Sequence, residues 1–110
     1  MPLQPLPPVE PAAFSRRLVR PFTRVELRLV LLISDGLTRP QLAPALGLSP
    51  RTVDTYLKII ARKVGDTGDV PLELRGIDRI RFWVQQQRAY ALVRRIAALE
   101  AELKEKRHSA

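Results

Sequence analysis

Between Phe22 and Leu103 the apolar residues of this chain recur at helical intervals, separated by short polar breaks. The clearest segment is 49–64. Val53, Leu57, Ile60 and Val64 fall there at spacings of four, three and four, which makes one apolar stripe on a helix. Arg51, Thr55, Lys58 and Arg62 fall on a different, polar face. Ser49 is the expected N-cap, and Pro50 suits the first helical position, where a missing N–H costs nothing. Gly65 is expected to end the helix in the left-handed conformation.

Two shorter helices are expected before it. The first starts at Thr23, whose spacing to Glu26 is that of a capping box, with Phe22 and Leu27 placed for the hydrophobic staple. Val25, Leu29, Leu32 and Ile33 give its stripe, and Asp35-Gly36 ends it. The second starts at Thr38, with Gln41 as capping partner, and carries Leu42, Ala43, Ala45 and Leu46 up to Gly47. Pro44 lies past its first turn, where a proline removes one backbone bond and meets the preceding turn, so a kink or a later start is expected.

Residues 66–71 form a turn-rich connection. Helix is expected again from about Leu72, with Gly76 as a break and no Pro or Gly from Ile77 to the tail. Ile77, Ile80, Trp83 and Val84 are placed to pack back on the first three helices. Leu92, Ile96, Leu99 and Leu103 repeat at four, three and four, the seam of a coiled coil. Glu100 with Lys104 and Glu102 with Lys106 have the favourable i,i+4 order. So long a helix needs a second copy or a partner to cover its seam. The fold class expected is therefore all-α: a helix-turn-helix bundle of three to four helices followed by a long, coiled-coil-like C-terminal helix. Three parts follow: a Pro- and Arg-rich arm over 1–21, a helix-turn-helix domain over 22–70, and a helical oligomerisation segment over 71–110.

Charge sharpens the picture. The formal net charge is +8 over 110 residues, with Arg favoured over Lys, which makes nucleic acid the leading partner. There is no Cys, and the one His is His108 near the end. No thiol nucleophile, Gly-rich phosphate loop or metal-spaced acidic cluster is present, so the expectation is a protein that is not an enzyme and carries no cofactor and no metal. No apolar run reaches spanning length and no signal peptide is apparent, so no membrane partner and a cytoplasmic location are expected.

At this point the residues match a known pattern. Residues 22–65 resemble, without a gap, the LuxR/GerE-type helix-turn-helix domain. The resemblance lies in Phe22, Thr23 and Glu26; in Asp35-Gly36; in Thr38, Leu42-Ala43, Leu46 and Gly47-Leu48; in Ser49, Thr52 and Val53; and in Ile60, Lys63 and Val64. The chain departs from it at Tyr56, where the family usually has His, at Pro40 and Gln41, where a Lys-Glu pair is usual, and at Pro44. The departures leave room for two related helix-turn-helix types, sigma-factor region 4 and phage small terminase.

The resemblance implies that Asp54, Thr55 and Lys58 face bases and phosphates, with Arg51 before them and Arg62 after. Lys58 and Arg62 suit phosphate or guanine, and the Thr55 methyl suits a thymine methyl. Asp54 suits a cytosine amino group or, the favoured reading, an ion pair with Lys58 at i,i+4. Thr38 and Thr52 suit phosphate contacts or capping alone, and Arg39 suits phosphate. Arg16, Arg17 and Arg20 extend the basic footprint as an arm. Trp83 and Tyr90 are expected as packing residues, and Gln85, Gln86 and Gln87 as a polar helix surface. The expected function is double-stranded DNA binding by a transcriptional regulator that dimerises through Leu92, Ile96, Leu99 and Leu103. The alternative is an adaptor that assembles into a ring or docks on RNA polymerase or another protein.

Overall fold

A computed structural model describes residues 18–108, and the arm residues Arg16 and Arg17 lie outside them. Four helices follow one another: α1 Arg24–Ser34, α2 Arg39–Leu46, α3 Pro50–Gly65 and α4 Gly76–His108. The protein is all-α, with no strand among the described residues. No helix among them is long and apolar enough to cross a membrane.

The stripe on α3 packs as its spacing dictates. Val53, Leu57, Ile60 and Val64 are all buried, together with Leu29, Val30 and Ile33 of α1 and Leu42 and Ala43 of α2. The inner third of α4 completes this core through Ile80, Val84 and Trp83, the last fully buried with Phe22 edge-on at 5.7 Å. Residues 76–87 thus belong to the core of the helix-turn-helix unit as much as to the C-terminal segment. Beyond them α4 leaves the domain, and its length sets the 60 Å long axis of the molecule.

On α1 the buried face is Glu26, Leu29, Val30 and Ile33. Val25 and Leu32, assigned to the stripe by spacing, are only half-buried. The rotation follows from Glu26, which is drawn inward. Its Oε1 accepts from the Thr23 N–H at 2.8 Å, and the Glu26 N–H donates to the Thr23 hydroxyl at 3.3 Å, which completes the capping box. The same Oε1 accepts from Lys63 Nζ at 2.5 Å, and Lys63 also donates to the Pro21 carbonyl at 3.0 Å. Three residues of the family-like pattern, Thr23, Glu26 and Lys63, are therefore one hydrogen-bonded cluster, with Glu26 and Lys63 buried, that ties the start of α1 to the end of α3.

Pro44 does not delay α2, which runs from Arg39 through it to Leu46. Pro44 and Pro40 are exposed, so the Pro40 carbonyl that loses its i+4 donor can meet water. The end of α2 is closed by Gly47 in the left-handed conformation, its N–H donating to the Pro44 carbonyl and that of Leu48 to the Ala43 carbonyl.

Gly65 does not end α3 in a left-handed turn. The helix runs through it to the right-handed cap Asp66, and the positive φ comes at Gly68, +75°. Gly65 is small for another reason: a Cβ there would lie 2.8 Å from an Arg79 guanidinium nitrogen. Arg79 crosses from α4 to this helix end and donates to the Leu74 carbonyl at 2.9 Å and the Ala61 carbonyl at 3.5 Å. Arg88 does the same for α1, which has no basic residue in its last turn, donating to the Ser34 carbonyl at 2.8 Å. Two cations of α4 thus sit at the negative ends of two core helices. The fourth helix starts at Gly76, later than Leu72, because residues 71–75 form a turn that leaves Leu72 almost wholly exposed.

Candidate nucleic-acid interface

At about 100° per residue, Arg51, Thr55, Lys58 and Arg62 lie opposite the buried stripe of α3. All four are exposed. The three cations have no ion pair among the described residues, so their charge is uncompensated there. The Thr55 hydroxyl donates to the Arg51 carbonyl at 3.1 Å, one turn back along its own helix. That bond occupies its hydroxyl proton in the helix backbone.

Asp54 does not pair with Lys58. Its Oδ1 accepts from Arg39 Nε at 2.8 Å and from a second nitrogen of the same guanidinium. Arg39 opens α2 and Asp54 stands in the first turns of α3, so the pair braces the two helix starts across the turn. Both side chains remain about half exposed, 56% and 41%. The cross-helix partner wins because Arg presents a planar fork to one carboxylate, a geometry that a flexible ammonium on the same helix does not match. Asp54 is thereby neutralised beside the cationic face, and Arg39 is engaged within the protein.

Thr38 caps α2, and Thr52 receives the Ser49 cap of α3. The Ser49 hydroxyl accepts from the Thr52 N–H at 3.1 Å and shares a hydrogen bond with the Thr52 hydroxyl at 2.8 Å. The Thr38 N–H donates to Gln41 Oε1 at 2.8 Å, while the Gln41 N–H goes to the Thr38 carbonyl. The backbone N–H groups of Thr38 and Thr52 are thus already used.

A basic groove of about 740 Å³ continues the polar face of α3 towards α4. Lys58 and Arg62 form one wall, and Arg75 and Arg79 the other. Asp66, also on its lining, is held by Arg20 at 2.9 Å, so one residue expected to belong to a free arm is docked on the end of α3. Arg75 is exposed and was not singled out by spacing, because it precedes α4 in a turn. Its only sequence signal is the run of basic residues Arg75, Arg79 and Arg81 across a helix start.

The acidity of Glu26 is shifted by its surroundings. Burial raises its pKa, but the hydrogen bonds from Lys63 and the Thr23 N–H, with the attraction of the Lys63 charge, bring the net value below the ordinary 4.5. The carboxylate is therefore held ionised and structural.

The remaining expectations divide. Trp83 is core, whereas Tyr90 is 38% exposed at the domain's edge. Gln85 is exposed, Gln86 donates to the Asp69 carbonyl at 3.4 Å, and Gln87 is buried rather than part of a polar surface, because it continues the inward stripe of α4 one turn past Trp83 and Val84. Glu100 and Lys104 do not close as an ion pair among the described residues. Leu92, Ile96, Leu99 and Leu103 are all exposed.

Compared with models of protein families, with curated proteins and with solved structures, the chain finds no match.

Proposed function

We propose that this protein reads double-stranded DNA as a transcriptional regulator, laying α3 in the major groove and acting as a dimer joined through the outer half of α4. The observation that carries the reading is the two-sidedness of α3. One face is fully committed to the core, and the opposite face presents Arg51, Thr55, Lys58 and Arg62 to solvent. A helix about 10–12 Å across fits a major groove about 12 Å wide. Lys58 and Arg62 meet phosphates or guanines, and Thr55 offers its methyl to a thymine. Arg75 extends the phosphate contacts from the groove beside them. Asp54 and Arg39 brace the two helices, Thr38 caps α2, and Thr52 is held by the Ser49 cap of α3. The LuxR/GerE-like pattern over 22–65 favours the same arrangement. Such a protein works in the cytoplasm, on the nucleoid.

Fluorescence anisotropy of labelled duplexes across a salt series tests DNA binding as such. Phosphate contacts release counterions, so the logarithm of the affinity falls linearly with the logarithm of salt. The Arg62→Ala, Arg75→Ala double variant is expected to make that slope shallower by about two, one for each phosphate no longer neutralised. A salt-independent affinity rejects the reading.

A further inference from the structure

The outer half of α4 carries an apolar stripe that its own domain leaves uncovered. Leu92, Ile96, Leu99 and Leu103 are 40–58% exposed. At about 100° per residue the stripe lies roughly 120° around the helix from Ile80, Val84 and Gln87, which face the core. A second helix laid along the stripe therefore does not compete with the domain.

The spacing fixes the heptad. Leu92 and Leu99 take position d, Ile96 and Leu103 position a. Arg95 and Glu102 then stand at g, Glu100 and Arg107 at e. None of these four charged side chains has an ion pair or hydrogen bond among the described residues.

We propose that α4 pairs with α4 of a second copy as a parallel, in-register, two-stranded coiled coil, its direction set by Arg95 and Glu102. The proposal rests on the dimer of the reading above and adds its geometry. In a parallel pair each g residue faces the e residue five positions on in the other chain. Arg95 meets Glu100 of the partner subunit, and Glu102 meets Arg107 of the partner subunit. Symmetry doubles both, giving four pairings of opposite sign between e and g positions and none of like sign. The antiparallel pair that keeps the apolar layers matched sets Leu92 against Leu103 of the partner subunit and Ile96 against Leu99 of the partner subunit. It joins Arg95 to Glu102 of the partner subunit, twice, and leaves Glu100 beside Val93 of the partner subunit. Only half the attractive pairings remain, and a carboxylate faces an apolar side chain. Ile96 at a between Leu92 and Leu99 at d further favours two strands over three or four at that layer. The parallel arrangement brings both recognition helices to the same end of the coil.

Sedimentation velocity on the full chain, with Trp83 fluorescence as a check that the domain stays folded, tests the proposal by charge exchange. The wild type is expected to be a dimer. Arg95→Glu sets like charges opposite each other in either direction and is expected to weaken the dimer about tenfold. Adding Glu100→Arg restores it only if the helices are parallel; adding Glu102→Arg restores it only if they are antiparallel. The chain has no native cysteine, so Ala89→Cys gives a second reading. Position 89 is an a site and forms an intermolecular disulfide on oxidation in the parallel dimer, whereas in the antiparallel one the two sulfurs stand on the order of 25 Å apart. Rescue by Glu102→Arg, no response to Arg95→Glu, or no crosslink at position 89 overturns the proposal and leaves the dimer standing. A wild type that stays monomeric, or forms a ring, overturns both, while the salt dependence of duplex binding still tests α3 by itself.

Discussion

Replacing Lys63 with methionine is expected to be among the most damaging single changes in this protein, although Lys63 is a charged residue near the end of a helix. Its ammonium sits at 2.5 Å from Glu26 and 3.0 Å from the Pro21 carbonyl, with 11% of its side chain exposed and 3% of that of Glu26. Lys63→Met keeps the length of the apolar stem but leaves the Glu26 carboxylate buried without its cation. Breaking one side of a buried pair costs about 3–5 kcal/mol, against a total of about 5–15 kcal/mol for an ordinary domain. Removing both charges as Glu26→Leu, Lys63→Met leaves no orphan ion. That double variant loses chiefly the cap to the Thr23 N–H, about 1 kcal/mol, so it is expected to be more stable than Lys63→Met alone.

The assay is urea unfolding followed by the fluorescence of Trp83, the only tryptophan and fully buried. Acid adds a second axis. The folded pKa of Glu26 lies below its ordinary 4.5, so its contribution is complete above that value and is lost as pH falls through the depressed folded value. In Lys63→Met the carboxylate has lost the cation that lowers its pKa, and protonation relieves the variant. The gap between wild type and variant should therefore narrow as pH falls towards the depressed folded value of the wild type. A destabilisation under about 1 kcal/mol at neutral pH, typical of a surface pair, or a gap that does not change with acid, refutes the reasoning.

Two further outcomes follow from the structure. Asp54→Ala releases Arg39 and removes a negative charge beside the cationic face, so affinity for every duplex should rise and the salt slope should steepen by about one; a loss of preference for one base position, seen in competition anisotropy, would instead make Asp54 a base reader. Gln87 is 3% exposed and its Nε2 has no hydrogen-bond partner, so Gln87→Met should stabilise the domain by about 1 kcal/mol, read as a higher urea midpoint.

The first three helices, their starts and the core were legible because each was marked more than once. Thr23 with Glu26, and Ser49 with Pro50, announce helix starts by local chemistry, and the stripe from Val53 to Val64 announces a buried face by period alone. What escaped was decided between elements. Nothing in the period says that Glu26 turns inward, since only Lys63, thirty-seven positions away, makes that orientation favourable. Gly65 has the position of a left-handed stop, but its smallness serves the approach of Arg79 from α4. Asp54 had a plausible partner four residues on, and the better one lay on α2. Pro44 warned of a late start, yet α2 begins at Arg39 and runs through it, with both of its prolines exposed. On the candidate interface, the face of α3 was visible from spacing, whereas Arg75 lies in a turn where no period applies.

The central claim is that α3 reads base sequence. The most direct measurement is anisotropy of labelled duplexes drawn from around the protein's own gene against scrambled duplexes of equal length and composition, using wild type and a Thr55→Ala, Lys58→Ala variant. One fragment is expected to bind at least about a thousandfold tighter than scrambled DNA, and the variant is expected to lose that preference while keeping salt-dependent binding to all of them. Equal affinity for every duplex, or a preference that survives in the variant, contradicts the claim.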